Sequence, residues 1–125
     1  MKPKLILIVE DDQAVRQGLA QALRLEGWQV VEAADGTTGF ELFHTYPTSI
    51  VVTDLMMLPG PNGLQMMAKI RDLDPQVPFV VLTAHATPET RDTAMRAGAD
   101  AVLQKPVEVK ELLRVIDRAL KSRGA

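Results

Sequence analysis

Leu5 to Asp12 reads LILIVEDD, five aliphatic residues in a row that stop on three acids. A strand with one wet face alternates apolar and polar positions. A run without alternation needs both faces covered, as in a parallel sheet flanked by helices. Five residues fall far short of the ~18 apolar residues of a membrane span, and no small-residue cleavage site follows to make a signal peptide. The same kind of run recurs along the chain as IVVT (Ile50–Thr53) and FVVLT (Phe79–Thr83). QVVEA (Gln29–Ala33) and AVLQ (Ala101–Gln104) are more mixed. Three apolar runs suit central strands and two mixed runs suit edges, which matches an α/β, doubly wound five-stranded parallel sheet of order 2-1-3-4-5.

The segments between the runs have helical spacing. Val15, Leu19, Ala22 and Leu23 share one face; so do Phe40 and Phe43; Leu64, Met67 and Ala68; and Val109, Leu112, Leu113, Ile116 and Leu120. A helix over roughly Glu89–Ala97 has a thin apolar face of Ala94, Met95 and Ala97. Asp35 before Gly36, Asn62 before Gly63 and Thr87 before Pro88 mark helix starts. Trp28 falls at the start of the second strand, at the end of the sheet away from the acids.

Composition bounds the rest. The 125 residues are 46% apolar and 24% charged, which suits one globular domain over residues 1–125. A net charge of −2 with mixed signs gives no footprint for nucleic acid or an anionic membrane. There is no Cys, which excludes disulfides and thiolate zinc sites and fits the cytoplasm.

In a sheet of this order, ligands sit beyond the carboxyl ends of the strands, where strands 1 and 3 diverge. Strand 1 ends in Glu10-Asp11-Asp12 and strand 3 in Asp54. Carboxylates crowded on adjacent strand ends repel unless a cation joins them, and an oxygen-only set favours Mg²⁺. Thr83 closes strand 4 with a hydroxyl, and Lys105 follows strand 5 with a point charge. Acids with a metal, a hydroxyl and a lysine around one free carboxylate suit a phosphoryl group, with Asp54 as nucleophile.

With ILIVEDD, VVTDLMM…PGPNG, VVLTAHA and LQKPV in that order, the chain resembles the receiver domain of bacterial two-component response regulators. That resemblance implies the flavodoxin-like (βα)5 fold. It implies a phosphoacceptor switch rather than an enzyme with an external substrate. Asp54 would accept a phosphoryl group from a sensor histidine kinase or phosphotransfer protein. Asp11 would bind Mg²⁺ directly, Glu10 would hold it through water, and the Met56 main-chain carbonyl would complete the protein ligands. Thr83 and Lys105 would bind phosphoryl oxygens, and the Lys105–Pro106 bond would be cis. Kinases would dock around Gln13–Ala20 and Pro106–Glu108. The output domain or downstream protein is unspecified, and the receiver itself would contact neither nucleic acid nor membrane.

The chain departs from the family pattern in three places. Four residues, Leu55 to Leu58, separate Asp54 from Pro59 where three are usual. Pro59 and Pro61 stiffen this loop, while Gly60 and Gly63 allow unusual turns. Val102 stands where many receivers have an aromatic that swings inward with the Thr. Arg91 and Glu111 offer one charge pair for a dimer, but Ala101 and Val115 replace the usual acid and Arg. Met56 and His85 occupy the positions flanking the path of attacking water, which implies a long-lived phosphoryl group.

Two other classes fit less well. An unphosphorylated adaptor would be expected to carry a broken acceptor site, and an aspartyl phosphatase places its nucleophile after strand 1 with a second Asp two residues on. A small phosphodonor separates the three by giving stable phosphoprotein, no reaction or turnover.

Overall fold

The LILIV run is buried at all five positions, and its neighbours explain why. In the computed structural model, which describes residues 4–55 and 63–123, strand and helix alternate throughout. The order is β1 (Leu5–Val9), α1 (Gln13–Leu25), β2 (Gln29–Ala33), α2 (Gly36–Thr45), β3 (Ile50–Asp54), α3 (Gly63–Leu73), β4 (Phe79–Thr83), α4 (Pro88–Arg96), β5 (Ala101–Gln104) and α5 (Val109–Ser122). The strands form one parallel sheet in the expected order, β2-β1-β3-β4-β5. β3 runs one residue further than the sequence suggests, because Asp54 stays in the ladder opposite Leu82.

Successive side chains of a strand face opposite ways. Leu7 and Val9 therefore join Val51, Phe79, Met66, Met67 and Ile70 on one side of the sheet. Ile6 and Ile8 join Leu19, Leu23, Leu112 and Ile116 on the other.

Three helix faces differ in phase from the sequence reading. In α1 the buried residues are Leu19, Ala20 and Leu23, while Val15 is 37% exposed. In α3 they are Gly63, Met66, Met67 and Ile70, and Ala68 is exposed. The stripe in α3 starts from a glycine, which carries no hydropathy signal. Its phase is set by the Gly63 N–H donating to Leu55 O at 3.0 Å. A Cβ there would run into the carbonyl of Asp54, so close approach is what requires glycine. In α4 only Ala94 is buried; Met95 points outward at 50% exposure.

Two of the three expected caps form. Asp35 accepts from Thr38 N at 2.7 Å and Thr87 from Thr90 N at 3.1 Å. Asn62 lies outside the described residues. Asp12 adds a cap that the sequence reading did not assign, accepting from Val15 N at 3.1 Å at the start of α1.

The amino end of the sheet is tied by charged groups. Arg71 donates to Val77 O (2.6 Å), Pro75 O (2.9 Å) and Gly98 O (3.1 Å), and its guanidinium lies 4.6 Å from the centre of the Phe79 ring. Asp100 accepts from Phe79 N and from Arg123 Nε, both at 2.9 Å. Trp28 is buried at this end as expected, with the Lys4 ammonium 4.9 Å from its ring centre.

Candidate functional site

All five strands of a parallel sheet deliver their carboxyl ends to one side. Val9 pairs with Thr53, so the next residues, Glu10 and Asp54, emerge side by side. Glu10, Asp11 and Asp54 each offer an oxygen within 4.8 Å of the others. Lys105 follows β5, its N–H bonded to Thr83 O at 2.8 Å. Its ammonium lies 2.9 Å from Asp54 Oδ2 and also contacts Glu10 Oε1. The Lys105–Pro106 bond is cis, as the sequence resemblance implies.

Glu10 is 2% exposed. Burial pushes its carboxyl above the ordinary value, and the opposing pull of Lys105 and the Asp12 amide does not cancel that rise. For Lys105, burial works to lower the pKa, but Glu10 and Asp54 together outweigh it and hold the ammonium above its ordinary value. The charged lysine is thus the stable form between two acids.

The donor set fits a hard divalent cation. Three carboxylates against one ammonium leave two negative charges, and the ligand atoms are all oxygen. Among the described residues, Glu10 Oε1 meets the Lys105 ammonium as counter-ion but receives no well-directed hydrogen bond. The Met56 carbonyl, expected as a further ligand, lies outside the described residues, as do Pro59, Gly60 and Pro61.

Thr83 is buried at the end of β4, and its Oγ1 accepts from His85 N at 3.2 Å. The structure therefore gathers Glu10, Asp11, Asp54 and Lys105 tightly and sets Thr83 on the adjoining strand end.

Sequence reasoning missed two contributors. Arg16 donates to Glu10 O at 2.8 Å, which fixes the backbone of the most buried acid. The position of Arg16 one turn into α1 was the available signal. Gln104 bonds the loop after Thr83 through both ends of its amide; nothing in hydropathy or charge marks it.

Asp12 caps α1, and Asp11 is left to the acidic group. Asp12→Ala removes the α1 cap and should cost about 1 kcal/mol of stability, with Mg²⁺ affinity nearly unchanged. Asp11→Ala should do the reverse, weakening Mg²⁺ binding by about tenfold or more. Calorimetric Mg²⁺ titration beside urea unfolding checks both; equal losses of affinity would show that the acidic register is misassigned.

The chain is similar to known proteins. The response regulator receiver domain family model matches residues 6–117. The transcriptional regulatory protein YkoG of Bacillus subtilis, itself uncharacterized, is 36% identical over 119 residues, covering 95% of this chain and 52% of that protein. A cyclic di-GMP phosphodiesterase of Thermotoga maritima is 36% identical over 118 residues, 94% of this chain and 31% of that protein. The chain thus spans about half the length of the first and under a third of the second. A CheY-like receiver domain structure from Methanospirillum hungatei superposes with a TM-score of 0.89 at 30% identity, covering 98% of this chain and 97% of that one. The chain belongs to the response regulator receiver domain family of two-component systems.

Proposed function

We propose that Asp54 accepts a phosphoryl group in a Mg²⁺-dependent reaction and that the modified domain controls an output partner through its altered surface. The observation that carries this is the ammonium of Lys105 seated 2.9 Å from Asp54 Oδ2 beside the acidic trio. An Asp54 oxygen attacks phosphorus, the bond from phosphorus to the donor breaks, and the donor leaves with that electron pair. Lys105 aligns the attacking carboxylate and then neutralises a phosphoryl oxygen. The Thr83 hydroxyl donates to another. Glu10, Asp11, Asp54 and the Met56 carbonyl would hold Mg²⁺, which when bound offsets negative charge on the transferring group.

The donor would be a sensor histidine kinase or phosphotransfer protein. An apolar groove lined by Val15, Leu19, Pro106 and Val107 opens beside Lys105 and supports docking there. Val15, exposed although it falls on the predicted apolar stripe, has a place in that groove. The domain would occupy residues 1–125 and work in the cytoplasm as a switch that catalyses only its own phosphorylation and dephosphorylation. No described helix is long and apolar enough to cross a membrane. The relatives differ, one being a transcriptional regulatory protein and one a cyclic di-GMP phosphodiesterase, and the output of this domain is left open between such kinds.

The test is incubation with acetyl phosphate, with Mg²⁺ or with excess EDTA. One phosphoryl group per chain should appear, labile to hydroxylamine, and only with Mg²⁺. An unlabelled protein would overturn the reading in favour of a pure binding module.

A further inference from the structure

The loop that joins Thr83 to α4 is held by side chains rather than by core packing. Ala94 is the one buried side chain of α4. Against that small apolar hold, Gln104 closes a two-ended clasp. Its Oε1 accepts from Ala86 N and its Nε2 donates to Ala84 O, both at 3.2 Å. Arg91 adds a second strand, donating from Nε to Ala86 O at 3.3 Å and from Nη1 to Val102 O at 3.0 Å. Residues 84–86 are thus pinned to β5 from both sides, and His85 sits between the two clasped residues. Its amide is the one that bonds Thr83 Oγ1. The hydroxyl serves there as acceptor.

We propose that Gln104 is a positioning residue that holds the Thr83 loop in its resting arrangement. It acts through the backbone of Ala84–Ala86 and so sets how readily Thr83 can turn toward Asp54. This latch lies where the chain lacks an aromatic rotor: Val102, two residues before Gln104, is small and buried. A side chain that must repack in the core is replaced by two neutral hydrogen bonds at the surface, which exchange easily with water. Gln104 is exposed, so it can be replaced without opening the core.

Hydrogen exchange on the unphosphorylated chain tests the clasp, comparing wild type with Gln104→Met and Gln104→Ala. Two hydrogen bonds of this kind account for roughly a tenfold change in an opening equilibrium, about 1.4 kcal/mol. The His85 amide, which Gln104 does not touch, should therefore exchange about tenfold faster in both variants. Acceleration confined to the Ala86 amide would reduce Gln104 to a local surface contact and overturn the proposal. Wild-type behaviour in Gln104→Met but not in Gln104→Ala would show that bulk rather than the amide matters, and would overturn it as well.

The second readout rests on Asp54 as phosphoacceptor: acetyl phosphate, which loses acetate as Asp54 gains the phosphoryl group, should label both variants severalfold faster. Unchanged or slower labelling would overturn the latch. If wild type takes no label at all, the phosphoacceptor reading fails while the exchange result still decides the clasp.

Discussion

Asp54→Asn takes no label from acetyl phosphate, with or without Mg²⁺. The amide that replaces the carboxylate has no charge to attack with and does not pair with the Lys105 ammonium 2.9 Å away. Loss of a nucleophile of this kind lowers reaction rates on the order of 10³–10⁶-fold, which takes labelling below detection. The same change removes one of three crowded carboxylates, so the fold should survive and circular dichroism should match wild type. Mass spectrometry of the intact chain makes the measurement. A phosphoryl group persisting on the Asp54→Asn chain would move the acceptor to another side chain and break the assignment of the site.

The second large effect concerns stability and comes from two glycines in contrasting surroundings. A Cβ built on Gly63 would meet the carbonyl of Asp54, the carbonyl of Leu55 at 3.0 Å and Leu55 Cα at 3.1 Å. All three are backbone atoms, which cannot swing aside, so the start of α3 would have to move. Overpacking of this kind costs about 3 kcal/mol, and Gly63→Ala should lose roughly that in urea unfolding. Because the displaced group is the carbonyl of Asp54, labelling at the proposed acceptor should slow in parallel. Gly18 lies inside α1 with nothing within 4 Å of a Cβ. Gly18→Ala should gain about 0.5–1 kcal/mol by lowering the freedom of the unfolded chain and raising helix propensity. Equal stability of Gly63→Ala and wild type would show that α3 does not press on β3.

The acidic end of the site was legible because topology does the gathering. Once LILIV and IVVT are central parallel neighbours, Glu10 and Asp54 must emerge side by side, and Lys105 follows from the strand after FVVLT. The helix faces were less legible. Hydropathy cannot see that α3 counts its buried stripe from Gly63, nor that Val15 faces an open groove rather than the core. The polar hold on the Thr83 loop left no trace in periodicity, because Gln104 and Arg91 bond to main-chain groups whose positions only the folded loop defines. The resemblance gives Asp12 no role among the acids, and the Val15 N–H shows where its carboxylate goes instead.

The tied amino end of the sheet has a consequence for whatever binds this domain. Arg71 engages four carbonyls and a ring, and Asp100 fastens the C-cap residue of α5 to the first residue of β4. Charge-assisted bonds of this sort are about twice as strong as the neutral Gln104 bonds on the Thr83 loop, to which Arg91 adds charged donors. If Asp54 takes a phosphoryl group as proposed, movement begun there would be taken up at the flank of α4, which buries only Ala94, before it reaches that end. A protein gripping the Arg71–Arg123 side would therefore meet the same contour whether or not a phosphoryl group is present. On that reading the Arg71–Arg123 side would serve a permanent companion as a constant handle, and a reader of the signal would approach from the flank of α4 and β5.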